Sequence, residues 1–215
     1  MTSAVARRLP AHRRWQLAAA VATLLLVWLV KRFYSHATAE ELAPILGPTA
    51  QMVSWVSGGS YLYERGAGWV SYEHAFIIAP ACAGVNFALA ALLVLMGGAM
   101  PRIHSGAALL RRLVAAVLAA YVTTLVVNTT RIVIAIALHH GALQVATLDA
   151  GELHRAEGIA VYLAGLCALH LGAQAVERAL ARRRVRSRRW VRHCVRRGDG
   201  AQRVLSGEIV VVGGP

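Results

Sequence analysis

Long apolar runs alternate with shorter polar segments along the 215 residues of the chain. A run of about 18 or more apolar residues is long enough to cross a membrane as a helix. The pattern predicts four such helices, at about 15–33, 82–100, 113–136 and 156–176. The first is followed at once by Lys31, Arg32 and two aromatic residues rather than by the small residues of a cleavage site. We therefore expect it to be a retained helix and not a removed leader.

The longest segment outside these helices covers about 34–81. Its part 43–57 is apolar and short and contains two prolines, which favours an interfacial or re-entrant element over a span. Residues 60–78 carry aromatic side chains partly in alternation, which indicates a short hairpin or an aromatic belt. The predicted fold is an all-α polytopic membrane protein, a compact bundle of about four main transmembrane helices plus this outer loop.

Composition and charge agree with a membrane protein. Hydrophobic residues make up 57% of the chain and charged residues 15%, a balance that is unusual for a soluble domain. The net charge of +13 is segregated, because arginines cluster before the first helix, between the second and third, and between Arg178 and Arg203. Basic loops stay in the cytoplasm, so both termini are predicted to be cytoplasmic.

The same charge pattern predicts where the transmembrane domain ends and which partners the chain has. We expect a transmembrane domain over 1–180 and a basic, flexible cytoplasmic tail over 181–215 that is attracted to anionic membrane lipid. No recognition motif accompanies the charge, so nucleic acid is not an expected partner.

Cys82 stands out among the three cysteines. The topology places Cys82 at the outer edge of the second helix, Cys167 within the fourth and Cys194 in the tail, too far apart to pair. Pro80 suits the first turn of a helix, which puts Cys82 near a helix N-terminus, where the helix dipole favours the thiolate form. A small buried hydrophobe is the alternative interpretation of this cysteine.

Arg131 lies in an otherwise apolar run, where a charge is costly. Counting about 27 Å of helix from Leu113 puts Arg131 near the outer interface, level with Cys82. Tyr121, Thr124, Asn128 and Arg131 follow three- and four-residue steps, so they form one polar stripe that we expect to face the bundle. Snorkelling of Arg131 to lipid head groups is the alternative.

His154 lies just before the fourth helix, again on the outer side, and an imidazole titrates near neutral pH. Glu152 and Glu157 are close in sequence, and either could orient it. A thiol, an imidazole and a guanidinium together suit thiol acyl transfer. The thiolate attacks a peptide carbonyl, the histidine protonates the leaving amine, and the arginine holds the oxyanion or a substrate carbonyl.

These motifs resemble those of the exosortase/archaeosortase family, polytopic membrane enzymes with cysteine transpeptidase-like chemistry. The family pattern is a Cys after a proline-containing turn, an Arg at the end of a later span and a His before the last span. Here the pattern matches PACAG at 80–84, NTTR at 128–131 and His154, and the resemblance covers about 75–175. It implies Cys82, Arg131 and His154 as catalytic residues, with Asn86, Asn128, Glu152 and Glu157 in support.

The resemblance also implies a substrate and a location. The substrates would be exported proteins with a C-terminal motif, a membrane helix and a basic tail, cut on the outer face of a bacterial inner membrane, with an envelope molecule as a candidate acceptor. The CAGVNF form at 82–87 and the short chain are similar to the compact exosortase K type. Two positions depart from the pattern of many exosortases, since Ala81 replaces a Glu and Ala83 replaces a Ser, and additional N-terminal spans are missing.

Two other classes stay open at this stage. A membrane metallohydrolase would draw on the acids and histidines of the third loop, namely His139, His140, Asp149, Glu152, His154 and Glu157. No tight ligand spacing such as HExxH is present, so no metal and no cofactor is predicted. A non-enzymatic transporter subunit or envelope assembly factor would also use a polar stripe within the membrane, and it would not need Cys82.

Overall fold

The computed structural model describes residues 11–140 and 150–205, with side chains except at 11–12, 139–140, 150–151, 153–154, 184 and 186–205. Two short 3-10 turns flank the third helix, at Pro80–Cys82 and Met100–Arg102. The longer elements follow in chain order: α1 Ala11–Tyr34, α2 Ala43–Ser57, β1 Leu62–Glu64, β2 Gly68–Ser71, β3 Phe76–Ile78, α3 Val85–Ala99, α4 Gly106–His140 and α5 Ala150–Leu205.

Four helical segments of the described chain are long and apolar enough to cross a membrane. They are Arg13–Tyr34, Pro80–Arg102, Gly106–Leu138 and Arg155–Arg183. The predicted helices lie within these segments, so the prediction of a helical, multi-pass membrane protein is confirmed at this level. Chain direction reverses between α3 and α4 at a turn that contains Pro101, which cannot continue the hydrogen-bonding pattern of α3.

The segment 43–57 forms α2, a helix of 15 residues that is too short to count among the candidate spans. Pro44 occupies its first turn, and Gly58 ends it in a left-handed conformation with φ of 76°. Its buried face includes Leu46 and Val53, and the hydroxyl of Tyr121 on α4 donates to the carbonyl of Pro44 at 2.7 Å. The helix therefore packs on the bundle; its depth in the membrane stays a prediction.

The aromatic part of the outer segment forms a three-stranded antiparallel sheet in the order β1-β2-β3. The predicted hairpin is therefore present with one additional strand. Over residues 11–140 and 150–205 the regular structure is helical apart from this small sheet. In the turn after β2 the hydroxyl of Tyr72 donates to the carboxylate of Glu64 on β1, and this hydrogen bond raises the pKa of the Tyr72 phenol. β3 leads directly into the turn that carries Cys82.

Two groups of buried apolar side chains hold the bundle together. The first joins α2, β3, α3 and α4 through residues such as Leu46, Ile78 and Ile132, and Cys82 packs against it. The second lies further along α3 and α4, around Phe87 and Met96. The candidate site sits beside the first group, at the end of the bundle where α3 begins.

By packing, the chain divides into one unit that ends at His170 and another that begins at Leu171. Helix α5 is assigned through Leu205, past the predicted boundary at 181. Alanine and arginine are frequent in this stretch and both favour helix. The flexibility and cytoplasmic location of the tail stay predictions.

We predict that Gly84→Ala destabilises the protein by about 1–3 kcal/mol, because Gly84 has φ of 67° and a side chain there is strained. A Cβ at this position would also lie 3.1 Å from Asn128 and Thr124. Denaturation in mixed micelles measures the effect. Gly97→Ala is the matched control, since nothing lies within 4 Å of a Cβ there and helix propensity should add about 0.5–1 kcal/mol. Equal stabilities for the two variants would contradict the analysis.

Candidate active site at the start of the third helix

Cys82 is the last residue of the 3-10 turn Pro80–Cys82, three residues before α3 begins. Its backbone N–H donates to the carbonyl of Ala79 at 2.8 Å, and Ala83 N–H donates to that of Pro80 at 3.1 Å. The side chain of Cys82 is half-buried and forms no disulfide. Cys167 also forms no disulfide, and it is exposed. These hydrogen bonds therefore fix the backbone of Cys82, while its side chain stays partly exposed. Cys82 lies close to the start of a helix, as the sequence predicts.

The amide of Asn128 fastens this turn to α4. Its Nδ2 donates to the carbonyl oxygen of Cys82, and its Oδ1 accepts from the hydroxyl of Tyr162 on α5 at 3.0 Å. Asn128 has no exposed surface. An amide buried this deeply needs partners at both ends, and here the turn that carries Cys82 and helix α5 supply one each. The absence of a side chain at Gly84 lets the amide approach the turn.

Arg131 lies one turn further along α4 and reaches the same tyrosine. Its Nη1 donates to the Tyr162 hydroxyl at 3.3 Å, and its Cζ lies 5.4 Å from the centre of the Tyr162 ring. A Cβ on Gly158 would lie 3.1 Å from Arg131 Nε, so the guanidinium rests against bare backbone of α5. Glu157, the residue before Gly158 on α5, lies close enough to Arg131 for their opposite charges to interact.

Helix α1 closes the other side of the turn. The hydroxyl of Tyr34 donates to the carbonyl of Pro80 at 3.4 Å. Lys31 Nζ donates to Asn86 Oδ1 at 2.7 Å and lies 5.5 Å from the centre of the Tyr34 ring. All four candidate spans thus contribute polar side chains to one end of the bundle, around the backbone of Cys82.

The polar stripe predicted on α4 faces the bundle, as expected. Thr124 and Asn128 have no exposed surface, and Arg131 is half-buried. Tyr121 is the exception because its ring is 37% exposed, although its hydroxyl reaches α2. The guanidinium of Arg131 contacts Tyr162 and Gly158 on α5, which agrees with a position that faces the bundle.

The remaining predicted site residues lie at different distances from this cluster. Asn86 is exposed and bonded to Lys31, and Glu152 is exposed on the first turn of α5. Glu157 is half-buried beside Arg131. His154 belongs to α5, but its side chain lies outside the described residues, so its contacts stay a prediction.

Tyr162 is a member of the site that the sequence analysis did not single out. Its ring also packs against Phe87 on α3, with ring centres 5.3 Å apart. A signal was present in the sequence. Positions 154, 158 and 162 are spaced by four, so a histidine, a glycine and a tyrosine follow one face of a helix. Within an apolar span, a tyrosine hydroxyl on that face needs a partner.

The described residues contain no group of three or more His, Cys, Asp and Glu side chains that could hold a metal ion. Four of the six residues on which the metallohydrolase interpretation rests lie outside that description: His139, His140, Asp149 and His154. Metal binding in the third loop is therefore neither supported nor contradicted by this structure.

Comparison of the chain with protein-family models, with curated proteins and with solved structures gave no match.

We predict that Tyr162→Phe lowers the free energy of unfolding by about 1–2 kcal/mol, because it leaves the buried Oδ1 of Asn128 without its donor while it keeps the ring contacts. Denaturation in mixed micelles measures the change. Tyr121→Phe is the matched control, since it removes an exposed interhelical hydrogen bond worth about 0.5 kcal/mol. A smaller effect at Tyr162 than at Tyr121 would contradict the assigned network.

Proposed function

We propose that this protein is a membrane-embedded cysteine peptidase or transpeptidase of the exosortase/archaeosortase type. It cleaves the C-terminal sorting signals of exported proteins by thiol acyl transfer at the outer face of the membrane. Cys82 is the nucleophile, and Arg131 and His154 are its partners. The substrates are exported proteins that end in a short motif, a membrane helix and a basic tail.

The observation that most supports this proposal is the path of contacts from Cys82 to Arg131. The Cys82 carbonyl, the Asn128 amide, the Tyr162 hydroxyl and the Arg131 guanidinium follow one another in hydrogen-bonding distance. A thiol motif and an arginine motif that are 49 residues apart in sequence are thus connected through the buried amide of Asn128 and the hydroxyl of Tyr162. Ordinary packing of apolar helices does not require an arginine there, where its burial is costly.

The proposed reaction has two transfers. The Cys82 thiol gives its proton to a base, and the thiolate adds to the carbonyl carbon of the scissile peptide. Arg131 stabilises the oxyanion that forms. The carbon–nitrogen bond then breaks, the amine leaves with the proton, and an acyl thioester remains on Cys82. An envelope acceptor, or water, attacks the thioester, forms the new bond and returns a proton to the thiol.

The proton carrier in this scheme is His154. It precedes Gly158 by one helical turn, and Gly158 adjoins Arg131. Four-residue spacing puts the backbone of 154 on the helix face that carries 158 and 162. Two assignments of the catalytic roles to His154 and Arg131 fit this helical register. His154 protonates the leaving amine while Arg131 binds the oxyanion, or His154 acts as the base for the thiol and Arg131 anchors the substrate carbonyl.

The topology in this proposal puts the outer loop and Cys82 outside the cytoplasm. Arg102, Arg111 and Arg112 flank the connection between α3 and α4, and basic connections stay inside. The sheet lies before the second candidate span, which begins at Pro80, and so belongs to the opposite face. Lipid, the exported substrate and an acceptor are therefore the expected partners.

We predict that Cys82→Ala abolishes processing, because the variant lacks the thiol that forms the thioester in the proposed reaction. C-terminal mass spectrometry of envelope proteins, in cells with the wild-type chain and with the variant, measures the result. Proteins that keep a helix and a basic tail should accumulate only with the variant, and the wild-type termini would reveal the cleavage motif.

The matched control for this experiment is Cys167→Ala, which removes an exposed thiol from the apolar part of α5 and should process normally. Immunoblotting of membranes shows that each variant is present. Unchanged C-termini in cells that hold normal amounts of Cys82→Ala would contradict the proposal. That outcome favours a transporter subunit or an assembly factor, which would not depend on this thiol.

Topology gives a separate prediction. In a chain whose native cysteines are replaced by alanine, Tyr72→Cys should react with a membrane-impermeant maleimide applied to spheroplasts, and His104→Cys should not. Both positions are exposed, so access depends on the side of the membrane. Permeabilised membranes should label both. Labelling of His104→Cys alone in sealed spheroplasts would reverse the proposed orientation.

A further inference from the structure

We propose that the free edge of β3 binds the extended segment of the substrate that contains the scissile bond, by addition of one antiparallel or parallel strand to the sheet. This inference rests on the proposed function, since it names how the same site holds its peptide. Strand addition supplies affinity through main-chain hydrogen bonds and leaves side chains to set specificity.

The pairing of β2 and β3 shows which backbone groups are committed to the sheet. In an antiparallel pair every second residue points its N–H and C=O at the partner, and the residues between point away. The ladder runs from Trp69 opposite Ile78 to Ser71 opposite Phe76. A Cβ on Gly68 would lie 2.5 Å from the carbonyl oxygen of Ile78, so that carbonyl points at β2.

Because inward- and outward-pointing residues alternate along β3, the N–H and C=O groups of Ile77 point away from β2. Phe76 and Ile78 bond to β2, and Ile77 between them presents its N–H and C=O at the outer edge of β3. β3 is the last strand in the sheet order. No backbone hydrogen bond to Ile77 occurs among the loops, turns and caps of the described chain. Its side chain is 50% exposed.

This edge runs directly to the proposed nucleophile. Ala79 continues the extended backbone with φ of −85° and ψ of 169°, and its carbonyl accepts from Cys82 N–H at 2.8 Å. Ile78 and Ala79 separate Ile77 from the turn, which begins at Pro80, three residues and about 10 Å of extended chain beyond Ile77. A peptide paired with Ile77 would thus place the bond opposite Cys82 about three or four residues from the residue that pairs with Ile77.

The depth of the edge suits a substrate that ends in a membrane helix. The second candidate span begins at Pro80, so β3 lies just outside it. A free strand edge is tolerated where water reaches it but not in lipid. A substrate helix that crosses beside the bundle emerges at this level, and the extended residues next to it then lie alongside β3.

The other edge of the sheet provides a matched control. Trp69 bonds to β3, so Tyr63, which lies opposite Trp69 on β1, points its backbone away from the sheet as Ile77 does. β1 is two strands from β3, which is about 10 Å further from the turn of Cys82. The two edge residues are equivalent in the sheet but not in their distance from the proposed nucleophile.

The test replaces each outward N–H with proline, which an edge strand accommodates when that N–H faces out of the sheet. Ile77→Pro should slow processing about tenfold or more, since it removes one substrate hydrogen bond and blocks close approach. Ile77→Ala and Tyr63→Pro should process within about twofold of wild type. Pulse-chase labelling of a substrate found with Cys82→Ala gives the rates, and immunoblots confirm equal amounts of each variant.

A cross-linking measurement covers the case in which Ile77→Pro does not fold. A benzoylphenylalanine at 77, in the Cys82→Ala chain that retains its substrate, should cross-link to residues of the cleavage motif, and the same probe at 63 should not. Wild-type processing by Ile77→Pro, or cross-links at 63 and none at 77, would overturn the inference. If Cys82→Ala accumulates no precursor, the proposed function fails, whereas accumulation with normal processing by Ile77→Pro overturns strand addition alone.

Discussion

The arrangement at the start of α3 depends on one buried amide. Asn128 lies within an apolar bundle with no exposed surface, where an unpaired amide costs about 1–3 kcal/mol for each group left unsatisfied. The carbonyl of Cys82 and the hydroxyl of Tyr162 satisfy its two ends. The turn before α3 and the helices α4 and α5 must therefore meet in one register before the amide is accommodated, and that register fixes the backbone of Cys82.

Glycines allow the turn before α3 and the helices α4 and α5 to approach each other closely. Gly84 lets the turn pass the amide at close range, and Gly158 lets the guanidinium of Arg131 lie against α5. Tyr162 then serves two partners, because its hydroxyl donates to Asn128 and accepts from Arg131. The guanidinium contacts a neutral hydroxyl and an aromatic face, and the carboxylate of Glu157 lies close enough to interact with its charge.

Sequence patterns predicted much of this arrangement and missed its centre. Four spans followed from apolar run length, and the buried stripe with Asn128 followed from helical spacing. Tyr162 was missed because a tyrosine in an apolar span looks like a membrane anchor until its helix face is compared with that of His154. The third strand was missed because three-residue strands are too short for a clear alternation. The contacts of His154 remain a prediction from helical register alone.

In the proposed site, hydrogen bonds fix one part of the backbone, and another part has main-chain groups with which a peptide could pair. The carbonyl of Cys82 is bonded to Asn128, so the proposed nucleophile cannot shift along its turn without unpairing a buried amide. Four to six residues before Cys82 the same chain is a strand whose outer edge has no partner in the sheet of the described residues. An enzyme that cuts many exported proteins at one motif needs both properties. Chemistry requires a nucleophile held within fractions of an ångström, whereas recognition of varied sequences is best served by main-chain bonds that every peptide can make.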